Sequence, residues 1–249
     1  MKFKFTLLLL LACAGSITAQ GLLPMPKYHK SISFYISFDD ETLNADISEG
    51  NHKPVAVLGK PAYRDGARGK ALLCGKGGSG VRFQRKDNLV IGSSGTILFF
   101  FKGEFKNGVK GTSIFLWGID SSKGFLGQSI SGHPRNVCPC ERELHTMFLD
   151  GEKIPSKTFC TKYPVKESDC GKWHMYVFSW APGQISIKFD LNPSKNYPIG
   201  FDMGESDFPA DHFTFGRSDT WNYLLDEITI YNRRLSDAEL DDIYKMYLK

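Results

Sequence analysis

The stretch that most constrains this chain is an aliphatic strand running into a capped helix near the C-terminal end. Side chains alternate with period two along Leu224-Leu225-Asp226-Glu227-Ile228-Thr229-Ile230-Tyr231. Leu224, Asp226, Ile228 and Ile230 are therefore expected on one face, and Leu225, Glu227, Thr229 and Tyr231 on the other. Asp226 then sits on an otherwise aliphatic face, where a carboxylate needs a hydrogen-bond donor or a cation because an unpaired buried charge is costly. After the Asn232-Arg233-Arg234 turn, Ser236 is a good N-cap, Glu239 completes a capping box, and Leu235 can staple against Leu240. Leu240, Ile243, Tyr244 and Tyr247 fall at i, i+3, i+4 and i+7, one apolar stripe that would dock the helix on the body of the protein.

Most of the remaining chain reads as strand. Ile32, Phe34, Ile36 and Phe38 alternate with Ser31, Ser33, Tyr35 and Ser37, and further strands are expected at 81–84, 96–102, 113–119, 144–150, 173–180, 185–190, 212–216 and 223–231. Turns such as Gly75-Lys76-Gly77-Gly78-Ser79-Gly80 and Ala181-Pro182-Gly183-Gln184 separate them. Many short strands with one terminal helix predict an all-β fold, an antiparallel two-sheet jelly-roll sandwich.

The C-terminal segment resembles the closing segment of the laminin-G-like domains of the concanavalin A-like lectin/glucanase superfamily, where a strand bearing Asp-Glu runs into an Asn-Arg turn and a short helix. Ile32-Ser33-Phe34-Tyr35-Ile36-Ser37-Phe38-Asp39 is similar to that family's first strand, and Asp65-Gly66-Ala67-Arg68-Gly69-Lys70-Ala71-Leu72 to its Gly-x-x-Gly-Lys-Ala-Leu segment. Gly95 to Lys102 and Trp173 to Trp180 resemble two of its core strands. The resemblance implies a concanavalin A-like sandwich and leaves function to the site.

Residues 1–19 read as a secretory signal, with Lys2 and Lys4 ahead of a short apolar core and small residues after it. That core falls short of the roughly 20 apolar residues a membrane span needs, and no other stretch qualifies. Cleavage before Cys13, preceded by Leu10-Leu11-Ala12, would instead make a lipoprotein, although Lys4 leaves a cramped apolar core for that route. Residues 20–30, with Pro24 and Pro26, form a leader, and 31–249 fit a single domain. Losing Lys2 and Lys4 lowers the formal charge from +4 to +2, too little to imply nucleic acid or an anionic membrane. The expected location is secreted or at the cell surface.

Cys74, ending the apolar run Ala71-Leu72-Leu73, reads as a buried free thiol. Cys138, Cys140, Cys160 and Cys170 are expected to form two disulfides, nested or crossed, since the single residue between Cys138 and Cys140 argues against a bond joining them. Zinc held by His133, Cys138, Cys140 and His145 has suitable ligand types but not a common zinc spacing, so the disulfide-stapled loop is preferred.

Asp39, Asp40 and Asp46 cluster at the end of the first strand. The family places the first and last strands side by side, so Asp39 and Asp226 are the candidate calcium ligands. The bland alternative is that Asp226 accepts hydrogen bonds from a turn and the others are solvated turn residues. The glucanase branch uses Glu-x-Asp-x-x-Glu, its carboxylates flanking the scissile bond. Glu167-Ser168-Asp169 is followed by Lys172 and Glu205-Ser206-Asp207 by Ala210, so neither completes it, and no serine-hydrolase elbow or zinc-protease helix occurs. The expectation is no enzyme, with a divergent glycoside hydrolase as an alternative.

Sugar rings stack on aromatic surfaces while polar neighbours hold their hydroxyls. Trp221 lies in the polar loop Arg217-Ser218-Asp219-Thr220-Trp221-Asn222, so Trp221, Arg217, Asp219 and Asn222 are the candidate ligand residues. The competing reading folds Trp221 over the rim of the core. The expected partner is an extracellular glycan or glycoprotein; the alternative function is a structural or protein-interaction module of a cell surface or matrix.

Overall fold

The computed structural model describes residues 26–103, 113–121, 124–132, 142–150, 159–165, 171–208, 210–217 and 221–248. The signal segment, most of the leader, Asp219, Cys138, Cys140 and Cys170 lie outside them, and Cys160 is described only as a backbone position of a strand.

Two antiparallel sheets form the sandwich. The first contains β1 (Ile32–Ile36), β2 (Ile47–Ser48), β4 (Tyr63–Asp65), β5 (Lys70–Cys74), β7 (Gly95–Gly103), β12 (His174–Ala181), β13 (Gln184–Phe189), β14 (Lys195–Pro198) and β16 (Tyr223–Tyr231). The second contains β3 (Ala56–Gly59), β6 (Ser79–Gln84), β8 (Ser113–Ser121), β9 (Gly124–Gly132), β10 (Arg142–Asp150), β11 (Phe159–Val165) and β15 (His212–Phe215), ordered β11-β10-β9-β8-β15-β6-β3. The predicted all-β sandwich is the fold observed.

The main core fills the space between the sheets. From the first sheet, Ile97, Phe99 and Phe101 of β7 and Tyr176, Phe178 and Trp180 of β12 meet Val81, Phe83, Trp117, Ile119, Phe213 and Phe215 of the second. The alternate residues of the same strands, Leu98, Phe100, Met175 and Val177, are buried as well, in a second cluster with Leu235, Leu240 and Ile243. β7 and β12 therefore read as continuous apolar runs because both their faces are covered, one by the other sheet and one by the terminal helix.

That helix, α1 (Asp237–Tyr247), forms as expected. The Glu239 amide donates to Ser236 Oγ (3.4 Å), Glu239 Oε2 accepts from the Ser236 amide (2.9 Å), and Arg233 forks onto the Glu239 carboxylate (2.7 and 3.1 Å). Leu235 and Leu240 are both buried in the second cluster, which completes the staple.

β16 departs from simple alternation. Glu227 adopts a left-handed backbone (φ 51°), and the register against β7 shifts between Asp226 and Thr229. This bulge reverses the parity of the strand. Tyr223 and Leu225 face the inter-sheet core before it, Ile228 and Ile230 after it, while Leu224 joins a separate small cluster. The expected single face of Leu224, Asp226, Ile228 and Ile230 is thus divided.

Candidate functional site

The bulge marks a joint in the first sheet. One edge of β16 pairs with β7, whereas its other edge is shared end to end by two strands: β5 along Tyr223 to Leu225, and β1 along Ile228 to Tyr231. Asp226 and Glu227 sit where β5 stops and β1 begins, and the turn joining β4 to β5, residues 66–69, closes the gap.

Asp226 is fully buried. Its Oδ2 accepts the amides of Ala67 (2.8 Å) and Arg68 (3.2 Å), and its Oδ1 accepts the Glu227 amide (2.8 Å). Asp39 Oδ1 accepts the Lys70 amide (2.8 Å). A Cβ placed on Gly66 would collide with Asp226 Oδ2, and one on Gly69, at φ +59°, with Asp39 Oδ1. Both positions therefore require glycine.

Glu227, 1% exposed, accepts the hydroxyl hydrogens of Tyr35 (2.8 Å) and Tyr247 (2.6 Å) and pairs with Arg68 Nε (3.4 Å). Arg68 also reaches the Tyr35 hydroxyl (3.4 Å) and lies over the Tyr247 ring, 5.1 Å from its centroid. Burial raises the Glu227 carboxyl to about 7 against the lowering effects of Tyr247, Arg68 and Tyr35. Burial, then the charge of Glu227, likewise holds Asp226 well above the usual carboxylate range, while the two turn amides oppose them. Around Arg68, burial works against the charge and is outweighed by Glu227 and the surrounding oxygens.

These contacts bear on calcium. Asp39 and Asp226 do come to the same joint, but both Asp226 oxygens and Asp39 Oδ1 face amide hydrogens, the arrangement of a carboxylate capping a turn. Asp46 Oδ2 accepts the Ser37 amide (2.7 Å), and Asp40 Oδ1 accepts the amide and hydroxyl of Thr42 (3.0 and 2.9 Å). Calcium needs lone pairs from roughly six to eight oxygens converging on one point, so this donor set does not fit it. Among the described residues, no group of three or more histidine, cysteine, aspartate or glutamate side chains is placed to hold a metal ion.

A second polar constellation lies where β15 ends and β16 begins. The Arg217 amide donates to the Tyr223 hydroxyl (3.1 Å), and that hydroxyl donates to the Phe115 carbonyl. The exposed Arg217 guanidinium stacks over the Phe115 ring, 5.3 Å from its centroid. The Gly75 amide donates to the Arg217 carbonyl (2.6 Å), and Gly75, at φ +87°, lies so close to Trp221 that a Cβ would strike its carbonyl. Trp221 is half-buried and packs against the inter-sheet core, and the buried Asn222 Oδ1 has no hydrogen-bond partner among the described residues. Arg217, Trp221 and Asn222 therefore share one rim, with Trp221 seated on the core rather than standing proud of it.

Sequence reasoning missed Glu227, Arg68, Tyr35 and Tyr247 as one cluster. Two adjacent carboxylates inside a nine-residue apolar strand were the available signal. Cys74 is a buried free thiol, as expected, and burial raises its pKa. Among the described residues no helix is long and apolar enough to cross a membrane.

No protein-family model and no curated protein matches the chain. Solved structures do. The receptor-binding domain of botulinum neurotoxin C/D mosaic serotype superposes with a TM-score of 0.67 at 12% identity, over 87% of this chain and 51% of that one. The botulinum neurotoxin DC binding domain in complex with SialylT gives 0.64 at 12% identity, over 88% and 51%. Domain 4 of AbnA, a GH43 extracellular arabinanase from Geobacillus stearothermophilus, in complex with arabinotriose, gives 0.61 at 18% identity, over 86% and 98%. This chain spans about half of the botulinum domains and nearly all of the arabinanase domain. At these identities the likeness is one of fold, a two-sheet antiparallel β-sandwich.

Proposed function

We propose that the protein is a secreted, non-catalytic laminin-G-like module that recognises an extracellular glycan at the rim carrying Arg217, Trp221 and Asn222. The observation that carries this reading is the exposed Arg217 side chain, stacked over Phe115 while its backbone is pinned by Tyr223 and Gly75. A cation fixed in this way keeps its donors oriented before a ligand arrives, which reduces the ordering cost of binding. Trp221 supplies the exposed part of its ring as a stacking surface. Asn222 and Asp219 meet hydroxyl groups. The complexes of the similar sandwiches with SialylT and arabinotriose support a sugar ligand, and the signal-like N-terminus supports an extracellular setting, with lipid attachment at Cys13 as the tethered form.

A second reading, a structural or protein-interaction module, draws on the packing of Trp221 against the core. A panel of sialylated glycans, arabino-oligosaccharides and other polysaccharides, screened with wild type and Arg217→Ala, separates the two. Binding that Arg217→Ala loses at unchanged melting temperature supports glycan recognition. A silent panel from a folded protein sinks it and favours a protein partner.

A further inference from the structure

We propose that Arg68, together with the amides of the turn at 66–69, takes the place a divalent cation would hold between the first and last strands. The joint then orders itself without metal.

Three carboxylates converge there. Asp226 and Glu227 are buried, and Asp39 Oδ1 lies against Gly69 of the same turn and accepts the Lys70 amide. Carboxylates brought together out of water need compensating positive charge or hydrogen-bond donors. The chain supplies both from within. Amide hydrogens of Ala67, Arg68, Lys70 and Glu227 point at the two aspartates, the hydroxyls of Tyr35 and Tyr247 point at Glu227, and one guanidinium faces Glu227. The turn is pressed against both aspartates: a Cβ added to Gly66 would collide with Asp226 Oδ2 and one added to Gly69 with Asp39 Oδ1, so its amides reach the carboxylates directly.

A guanidinium suits this role better than an ammonium. It is a flat, weakly hydrated cation that donates in fixed directions and stacks on aromatic rings, here the Tyr247 ring of α1. The helix is therefore the lid of the joint. None of these residues belongs to the loop carrying Arg217 and Trp221, so glycan binding plays no part in the test.

The experiment is thermal unfolding of the full chain with excess calcium and with chelator, for wild type, Arg68→Met and Arg68→Lys. Wild type should melt at one temperature in both solutions. Arg68→Met should melt roughly 10 °C lower in both, the effect of removing one partner of a buried pair. Arg68→Lys should recover part of the loss. A wild-type melting temperature that falls with chelator overturns the proposal, as does Arg68→Met melting with wild type. Should Arg68→Met fail to fold, hydrogen exchange of wild type decides. The Ala67, Arg68 and Lys70 amides should be equally protected with calcium and with chelator, and protection that depends on calcium overturns it.

Discussion

The joint at Asp226–Glu227 and the rim at Arg217–Asn222 are both polar, and both involve the last strand, yet they use polarity in opposite ways. At the joint, side chains turn inward onto amides, hydroxyls and a guanidinium from segments far apart in sequence. At the rim the backbone takes part in the internal hydrogen bonds, and the exposed Arg217 side chain lies over the Phe115 ring. Inward polarity sets how the strands are held, and outward polarity leaves exposed the groups proposed to meet a glycan. Stability measurements should therefore respond strongly to the first region and weakly to the second.

The largest effect is expected from Glu227→Ala, which leaves Arg68 without its carboxylate. A loss of about 3–5 kcal/mol in denaturant unfolding is expected. A change below about 1 kcal/mol would place the joint in the same class as the rim. Gly69→Ala comes next, at about 2 kcal/mol, because its left-handed backbone is strained for alanine and its Cβ displaces Asp39 from the Lys70 amide.

A smaller effect comes from pH. The folded Glu227 carboxyl titrates above its unfolded value, so its contribution is complete below about pH 4.5 and disappears as pH rises through about 7. Asp226 shifts in the same direction. Glu239, lowered to about 2 chiefly by its bond with Arg233, acts in the opposite sense and outside that window. Wild type should accordingly gain several degrees of melting temperature from about pH 8 to about pH 5, and Glu227→Gln should flatten the profile. A profile of equal slope in both proteins would remove Glu227 from the account.

Smallest of all should be the effect of Arg217→Ala on unfolding, within about 0.5 kcal/mol, since an exposed side chain is removed. If glycan affinity then falls roughly tenfold or more in a binding titration, stability and recognition are separable in this molecule. A large unfolding effect would erase the contrast between the two regions.

Local chemistry made much of the fold legible. The Ser236–Glu239 box and the Leu235–Leu240 staple depend on neighbours within a few residues, and both formed where expected. The apolar runs of β7 and β12 were readable as strands, although their second buried face became explicable only once α1 was seen to cover it. β9, with Gly124, Gly127 and Gly132, and the edge strand β14, Lys195–Pro198, carry too little apolar alternation to announce themselves. The bulge was not legible either. A left-handed glutamate depends on partners at Tyr35 and Arg68, more than 150 residues away, and no pattern within β16 encodes them. For the same reason Asp226 was legible as a group that needs partners, with a turn as one of the two expected sources, while the particular turn, 66–69, was not.

The sharing of one β16 edge by β5 and β1 also dictates the order in which this molecule can assemble. The Ser33 hydroxyl bonds to the Ile230 carbonyl across 197 positions, and Tyr35 to Glu227 across 192. Neither the first strand nor the fifth can find its central neighbour until β16, far downstream of both, has been made. Long-range pairing of this kind delays folding because loop closure must precede the contacts that reward it. During synthesis β1 and β5 are strands in waiting, and it is β16, made after both, that admits them to the sheet.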